Sequence, residues 1–287
     1  MLCDGAMGTL LHKRGVSYGR SFEELNISHS QMVLEIHRDY IKAGAEIIET
    51  NTFGANAVRL KEFGLEKKVR EINLKAVKIA REAREMEGKD VFVAGSMGPL
   101  VKPTAPPNEI SEKEITDIFQ EQADSLLQGG VDLLILETFS DLTELKLAVS
   151  SVKKICQLPI IASMTFNEDR NTIHGLSPEE AGYEMNQMEV EIIGANCSTG
   201  PQNMPEITKS LSQVSSKMLS IQPSAGIPRY LDGSFIYPAS PEYFTERLRE
   251  CIKAGADIIG GCCGTTPEYI RSLSLMLKNT NSAATNT

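Results

Sequence analysis

Two adjacent cysteines, Cys262 and Cys263, stand in the string Gly260-Gly261-Cys262-Cys263-Gly264-Thr265-Thr266-Pro267, and a third, Cys197, closes the apolar run from Ile192 to Asn196. Six cysteines in 287 residues are too few for a disulfide-stapled scaffold. In a reducing compartment such a cluster more often serves a metal or catalysis. Three thiolates with a fourth position left open describe a catalytic zinc site, because a structural site normally fills all four positions with protein ligands. Neighbours in a regular strand point to opposite faces, so Cys262 and Cys263 can share one ion only if the chain leaves strand geometry between them, as Gly260, Gly261 and Gly264 permit. The spacing of 65 positions from Cys197 to Cys262 is too wide for a compact zinc finger but natural for the ends of two strands in a larger sheet. Inert packing and a closed structural zinc site are the competing readings. Cys3, Cys156 and Cys251 read as small core residues.

The elements that would carry these cysteines follow a recurring pattern: an amphipathic helical stretch, then Gly, a small residue, an acid, and an apolar run ending in polar residues. It occurs at Gly44-Ala45-Glu46 through Asn51, at Gly130-Val131-Asp132 through Thr138, and at Gly255-Ala256-Asp257 through Cys263. Glycine suits a helix C-cap, and the apolar run suits a strand buried on both faces. Five further segments read as strands: Leu2 to Ala6, Val91 to Ser96, Pro159 to Phe166, Ile192 to Asn196 and Leu219 to Pro223. Helices fill the gaps, several opening on capping signatures at Ser111, Ser177 and Ser240. Strict alternation, eight times over, predicts an α/β fold with a single-domain (β/α)8 barrel of the TIM type over residues 1–277. Pro99, Pro103, Pro106 and Pro107 make the stretch from Pro99 to Asn108 a loop. The polar residues 278–287 read as a tail or interdomain linker.

In such barrels the chemistry sits where strands end. There the sequence places Asp4-Gly5-Ala6, Glu49-Thr50-Asn51, Glu137-Thr138, Asn196-Cys197 and Cys262-Cys263. Asp4 and Glu137 have the stronger positional claims among the acids, whereas Glu49 and Asp132 read as solvating turns or pairing with nearby bases. The four histidines read as surface residues, with His174 alone a further candidate.

A formal charge of -9, 41% apolar residues and 23% charged residues fit a globular chain without the positive surplus that general nucleic-acid binding needs. The sequence has no run of roughly 20 apolar residues, the length of a membrane span. The opening Met1-Leu2-Cys3-Asp4-Gly5 lacks the pattern of a secretory signal, which leads to a cytoplasmic expectation.

The strings Asp4-Gly5-Ala6-Met7-Gly8-Thr9, Thr50-Asn51-Thr52-Phe53-Gly54-Ala55, Gly194-Ala195-Asn196-Cys197 and Gly260 to Pro267 resemble the homocysteine S-methyltransferase family. The likeness runs from residue 2 to about residue 277 and is closest to the homocysteine-binding module of cobalamin-dependent methionine synthase. It implies a barrel in which Cys197, Cys262 and Cys263 bind Zn2+ and act on substrate through it. It also implies that Asp4 and Glu137 hold the homocysteine amino group, and that the backbone after Asp4, at Gly5 and Ala6, takes its carboxylate; Thr138 adjoins this site. Ser224, in Gln222-Pro223-Ser224-Ala225-Gly226, departs from the Asn of related modules.

For the methyl donor, the absence of Trp argues against a quaternary ammonium held in an aromatic cage, although Tyr and Phe could still build one. No Asp-x-His-x-x-Gly cobalamin-binding string occurs, so methylcobalamin would arrive on another domain or protein. S-methylmethionine or another sulfonium is the alternative donor. A non-catalytic, zinc-stabilised thiol-binding barrel is the alternative of a different class, separable by whether homocysteine changes the metal's ligands.

Overall fold

The computed structural model describes residues 1–100, 110–198, 200–231 and 234–284. Seven parallel strands form one sheet: β1 (Ile47–Glu49), β2 (Phe92–Met97), β3 (Leu133–Phe139), β4 (Ile160–Met164), β5 (Ile192–Cys197), β6 (Met218–Pro223) and β9 (Ile258–Ile259). Each neighbour pair is parallel and in chain order, and helices cross between successive strands. A separate antiparallel hairpin, β7 (Arg229–Leu231) with β8 (Ser234–Ile236), is inserted after β6.

The eighth expected strand, Leu2 to Ala6, shrinks to two bridging residues. Leu2 pairs with Ile259 and Cys3 with Ile47, both in parallel, so the two edges of the sheet meet through this segment. The Cys3 amide donates to the Ile259 carbonyl at 2.8 Å and the Asp4 amide to the Ile47 carbonyl at 2.9 Å. The sheet thereby curls into a closed α/β barrel. Gly5 follows at once, and the chain turns into the helix Gly8–Lys13, which leaves no room for a longer strand.

The interior is packed rather than hollow. Cys3, Ile47, Ala94, Leu133, Ile135, Ile161, Ile192 and Ile258 form one buried cluster contributed by nearly every strand, as the inward-facing layers of such barrels require. A larger apolar cluster lies mainly between strands and helices. Gly44 and Gly130 end their helices at φ 112° and 87°, a left-handed conformation that glycine adopts freely. Ser111 and Ser177 build complete capping boxes, and Ser240 caps its helix by accepting from the Tyr243 amide.

The last helix, Pro267–Ala284, continues well past residue 277, where composition suggests a tail; the buried Ile270, Leu273 and Met276 anchor its earlier turns. The loop expected from Pro99 to Asn108 lies outside the described residues from position 101 onward. No described helix is long and apolar enough to cross a membrane.

Candidate metal and substrate site

Strand β5 ends on Cys197, whose φ of 55° is left-handed, as are those of Ser198 (60°) and Thr138 (63°). Non-glycine residues rarely adopt this region, and for Thr it is strained, so the local structure must enforce it. Strand β9 stops at Ile259, and the chain is no longer pleated when it reaches Cys262 and Cys263. The Cys262 amide donates to the Pro223 carbonyl at 2.8 Å, and the Cys263 carbonyl accepts from the Ala225 amide at 2.8 Å. The Cys197 carbonyl accepts from the Ser224 amide at 2.9 Å. Residues 223–225, at the end of β6 and just beyond it, therefore tie both cysteine segments together. Gly264, at φ 83°, completes the turn; a Cβ there would come within 2.2 Å of the Tyr237 ring.

These constraints bring the sulfurs of Cys197, Cys262 and Cys263 within 4.8 Å of one another. The Cys197 and Cys263 sulfurs are 3.8 Å apart. Two thiolates each about 2.3 Å from a tetrahedral zinc ion would stand about 3.8 Å apart, so the residues present fit such an ion. Hydrogen bonds from Cys262 and then Cys263 hold the Cys197 thiol well below its ordinary pKa, and its partners are raised in turn. The Ser224 hydroxyl lies 3.4 Å from the Cys197 sulfur and donates to it.

The cysteines form one wall of a cavity of about 270 Å³ that is also lined by Gly5, Ala6, Glu49, Glu137, Thr138 and Asn196. The Glu137 carboxylate accepts from the Ser96 hydroxyl and, at 3.2 Å, from the Asn196 side-chain amide. Asn196 also accepts from the Thr138 amide at 2.8 Å and donates to the Thr138 hydroxyl at 2.8 Å. One buried amide thus fixes the acid and reaches within 4.0 Å of the Cys262 sulfur. Asp4 is buried behind Gly5, its Oδ2 accepting from the Glu49 amide at 3.0 Å and its Oδ1 without a partner. The Ala6 amide is engaged by the Thr265 hydroxyl at 3.2 Å.

Two sequence readings change. Glu49 does not solvate a turn: it lines the cavity, and its Oε1 accepts from the Gln222 amide at 2.6 Å. Asp132, by contrast, does pair with a base, Arg84, at 2.8 Å. His37 is not a surface residue, since the apolar face of the helix Ser30–Ala43 carries it fully into the core with neither ring nitrogen partnered. His174 is exposed beside Asp141 and lines no part of the cavity. Asn196 was placed at a strand end without a role of its own, and Ser96 and Gln222 were not singled out. The signal that could have found them was their place at, or one or two residues before, the end of an apolar strand.

Residues 1–277 match the model of the family described as homocysteine S-methyltransferase. The chain belongs to the homocysteine S-methyltransferase family. Among relatives of this methyltransferase-family chain, the methionine synthase of Mycobacterium tuberculosis (strain ATCC 25618 / H37Rv) is 34% identical over 295 residues, covering 97% of the chain and 25% of that protein. The methionine synthase of Mycobacterium leprae (strain TN) is 33% identical over 297 residues, covering 98% of the chain and 24% of that protein. The chain therefore spans about a quarter of the length of these curated relatives. The metallated crystal form of the homocysteine methyltransferase MmuM from Escherichia coli superposes with a TM-score of 0.83 at 24% identity, covering 96% of each chain, and supports the TIM-barrel fold.

Proposed function

We propose that this family member binds Zn2+ through Cys197, Cys262 and Cys263 and transfers a methyl group to the thiol of homocysteine, giving methionine. The observation that carries the reading is the single cavity bounded by the three sulfurs and by Glu49 and Glu137. A ligand with a thiol at one end and an ammonium at the other matches those two walls.

Bound by three thiolates, zinc would supply a Lewis-acid position at which the substrate sulfur stays deprotonated and nucleophilic at neutral pH. The protein's own residues set the other end. Glu137, oriented by Ser96 and Asn196, holds the homocysteine ammonium together with Asp4, which lies buried behind Gly5. Backbone of the turn from Gly5 to Thr9 takes the carboxylate; because the Ala6 amide already donates to Thr265, the other amides of that turn serve. Thr138 and Asn196 hold the wall between acid and sulfur. The substrate sulfur then forms its bond to the methyl carbon as the donor's bond to that carbon breaks.

Methylcobalamin, carried by another domain or protein, is the donor this reading favours, because the chain has no cobalamin-binding string of its own and covers only about a quarter of the two methionine synthase relatives. One observation favours a sulfonium donor such as S-methylmethionine instead. Tyr18 and Phe235 meet edge to face with ring centroids 5.3 Å apart, and Tyr237 touches Gly264 beside Cys263. Aromatic faces attract organic cations. A methyl-transfer assay on the zinc-loaded chain, with homocysteine as acceptor, separates the readings. Turnover with methylcobalamin alone supports the first, turnover with S-methylmethionine alone supports the second, and turnover with neither contradicts both. The reading places the protein in the cytoplasm.

A further inference from the structure

Glu49 closes β1 and lines the same buried cavity as Glu137, where each carboxyl acts on the other. Two acids sharing one buried site do not both ionise readily, because each charge disfavours the other. The groups facing Glu49 are Cys3 and Asp4 from the N-terminal segment, Tyr40 from the helix Ser30–Ala43, Glu137 from β3 and the uncharged Gln222 from β6. Among the described residues no Lys, Arg or His lines this cavity, so no protein cation balances the acids. Burial and then the Asp4 charge push the Glu49 carboxyl up to about 8, and burial and then the Glu49 charge raise Glu137 well above the usual range. The cavity is built for a cation that the chain does not itself provide.

We propose that Glu49 and Glu137 hold one proton between them in the empty cavity and exchange it for the α-ammonium of the bound amino acid. This rests on the homocysteine reading above. On binding, the O–H bond of the shared carboxyl breaks and its proton goes to solvent. N–H···O bonds from the ammonium, which has three donors, take its place. One positive charge replaces another, so the acid pair together with its cation carries a net charge of one negative before and after binding, and the second carboxylate is ionised only when the ammonium is there to share. Glu49 is thus a substrate-binding acid in addition to Asp4 and Glu137, and it selects ligands with a free primary ammonium. The proton lost here is separate from the one lost by the substrate thiol.

The test is a calorimetric titration of the full chain with L-2-aminobutyrate, which is homocysteine without its sulfur, at pH 7 in buffers of different ionisation enthalpy. The wild type is expected to release close to one proton per ligand bound, and E49Q none. Homocysteine should release one more than 2-aminobutyrate in both proteins. In the wild type alone, one protonated-carboxyl infrared band, apart from any band of the buried Asp4, whose pKa burial also raises, should vanish when 2-aminobutyrate binds, a readout that does not depend on how well the variant folds. Binding of 2-aminobutyrate without proton release, equal release by E49Q, or an infrared spectrum that loses no such band would overturn the proposal. Failure of both ligands to bind would instead contradict the homocysteine reading, and the proposal would fall with it.

Discussion

The sulfurs of Cys197 and Cys263 lie 3.8 Å apart although 66 residues separate them in the chain. Residues 223–225, where β6 ends, create that proximity by hydrogen-bonding to the backbone of both cysteine segments. The thiol cluster is therefore a property of the closed barrel and not of any local motif.

Replacing Cys263 by Ala would remove one of the three proposed zinc ligands without disturbing the backbone bonds that hold the turn. Zinc retained after gel filtration, measured by elemental analysis, should fall to background. Methyl transfer should drop at least about a hundredfold, the order of loss expected when metal-site geometry is broken. The circular dichroism spectrum should be unchanged.

Asn196 positions Glu137 and Thr138 but is not expected to ligate the ion. Asn196→Ala leaves the Thr138 amide and a buried carboxylate short of partners, which costs about 1–3 kcal/mol of stability. In steady-state kinetics KM for homocysteine should rise about tenfold while zinc content stays at the wild-type level.

At Gly264 the backbone is left-handed and the Tyr237 ring blocks a side chain. Gly264→Ala should lower unfolding free energy by about 2 kcal/mol or more, combining αL strain with the clash. Chemical denaturation read by far-ultraviolet dichroism checks it, and zinc affinity should weaken in parallel because Cys263 is the adjacent residue.

His37 is fully buried without partners, and burial lowers its pKa from 6.5 to about 4. A depressed histidine binds fewer protons folded than unfolded, so stability is lost as pH falls from 6.5 toward 4. The loss reaches about 3 kcal/mol at most, from the shift of two to three units. A His37→Leu variant should show a shallower acid limb than wild type when unfolding midpoints are compared at pH 7, 5.5 and 4.5.

The alternation of apolar runs with capped helices made the barrel legible, because each buried parallel strand reads as a continuous run and three of the helices open on a capping serine. The cysteines were legible too, since thiols at strand ends have few other uses. What stayed hidden depends on direction and not type. Glu49 and Asp132 occupy similar positions beside apolar runs, yet one turns into the cavity and the other toward Arg84. His37 has the helical spacing of its apolar neighbours Val33, Ile36 and Tyr40, but a polar side chain masks that signal. The first strand was drawn too long because closure takes only Leu2 and Cys3, and nothing in an apolar run marks where pairing stops.

X-ray absorption at the zinc edge of the zinc-loaded chain, with and without homocysteine, tests the metal and the acceptor together. Three sulfur neighbours and one lighter atom should become four sulfur neighbours when homocysteine is added. An unchanged ligand set in the presence of saturating homocysteine would contradict a catalytic zinc site.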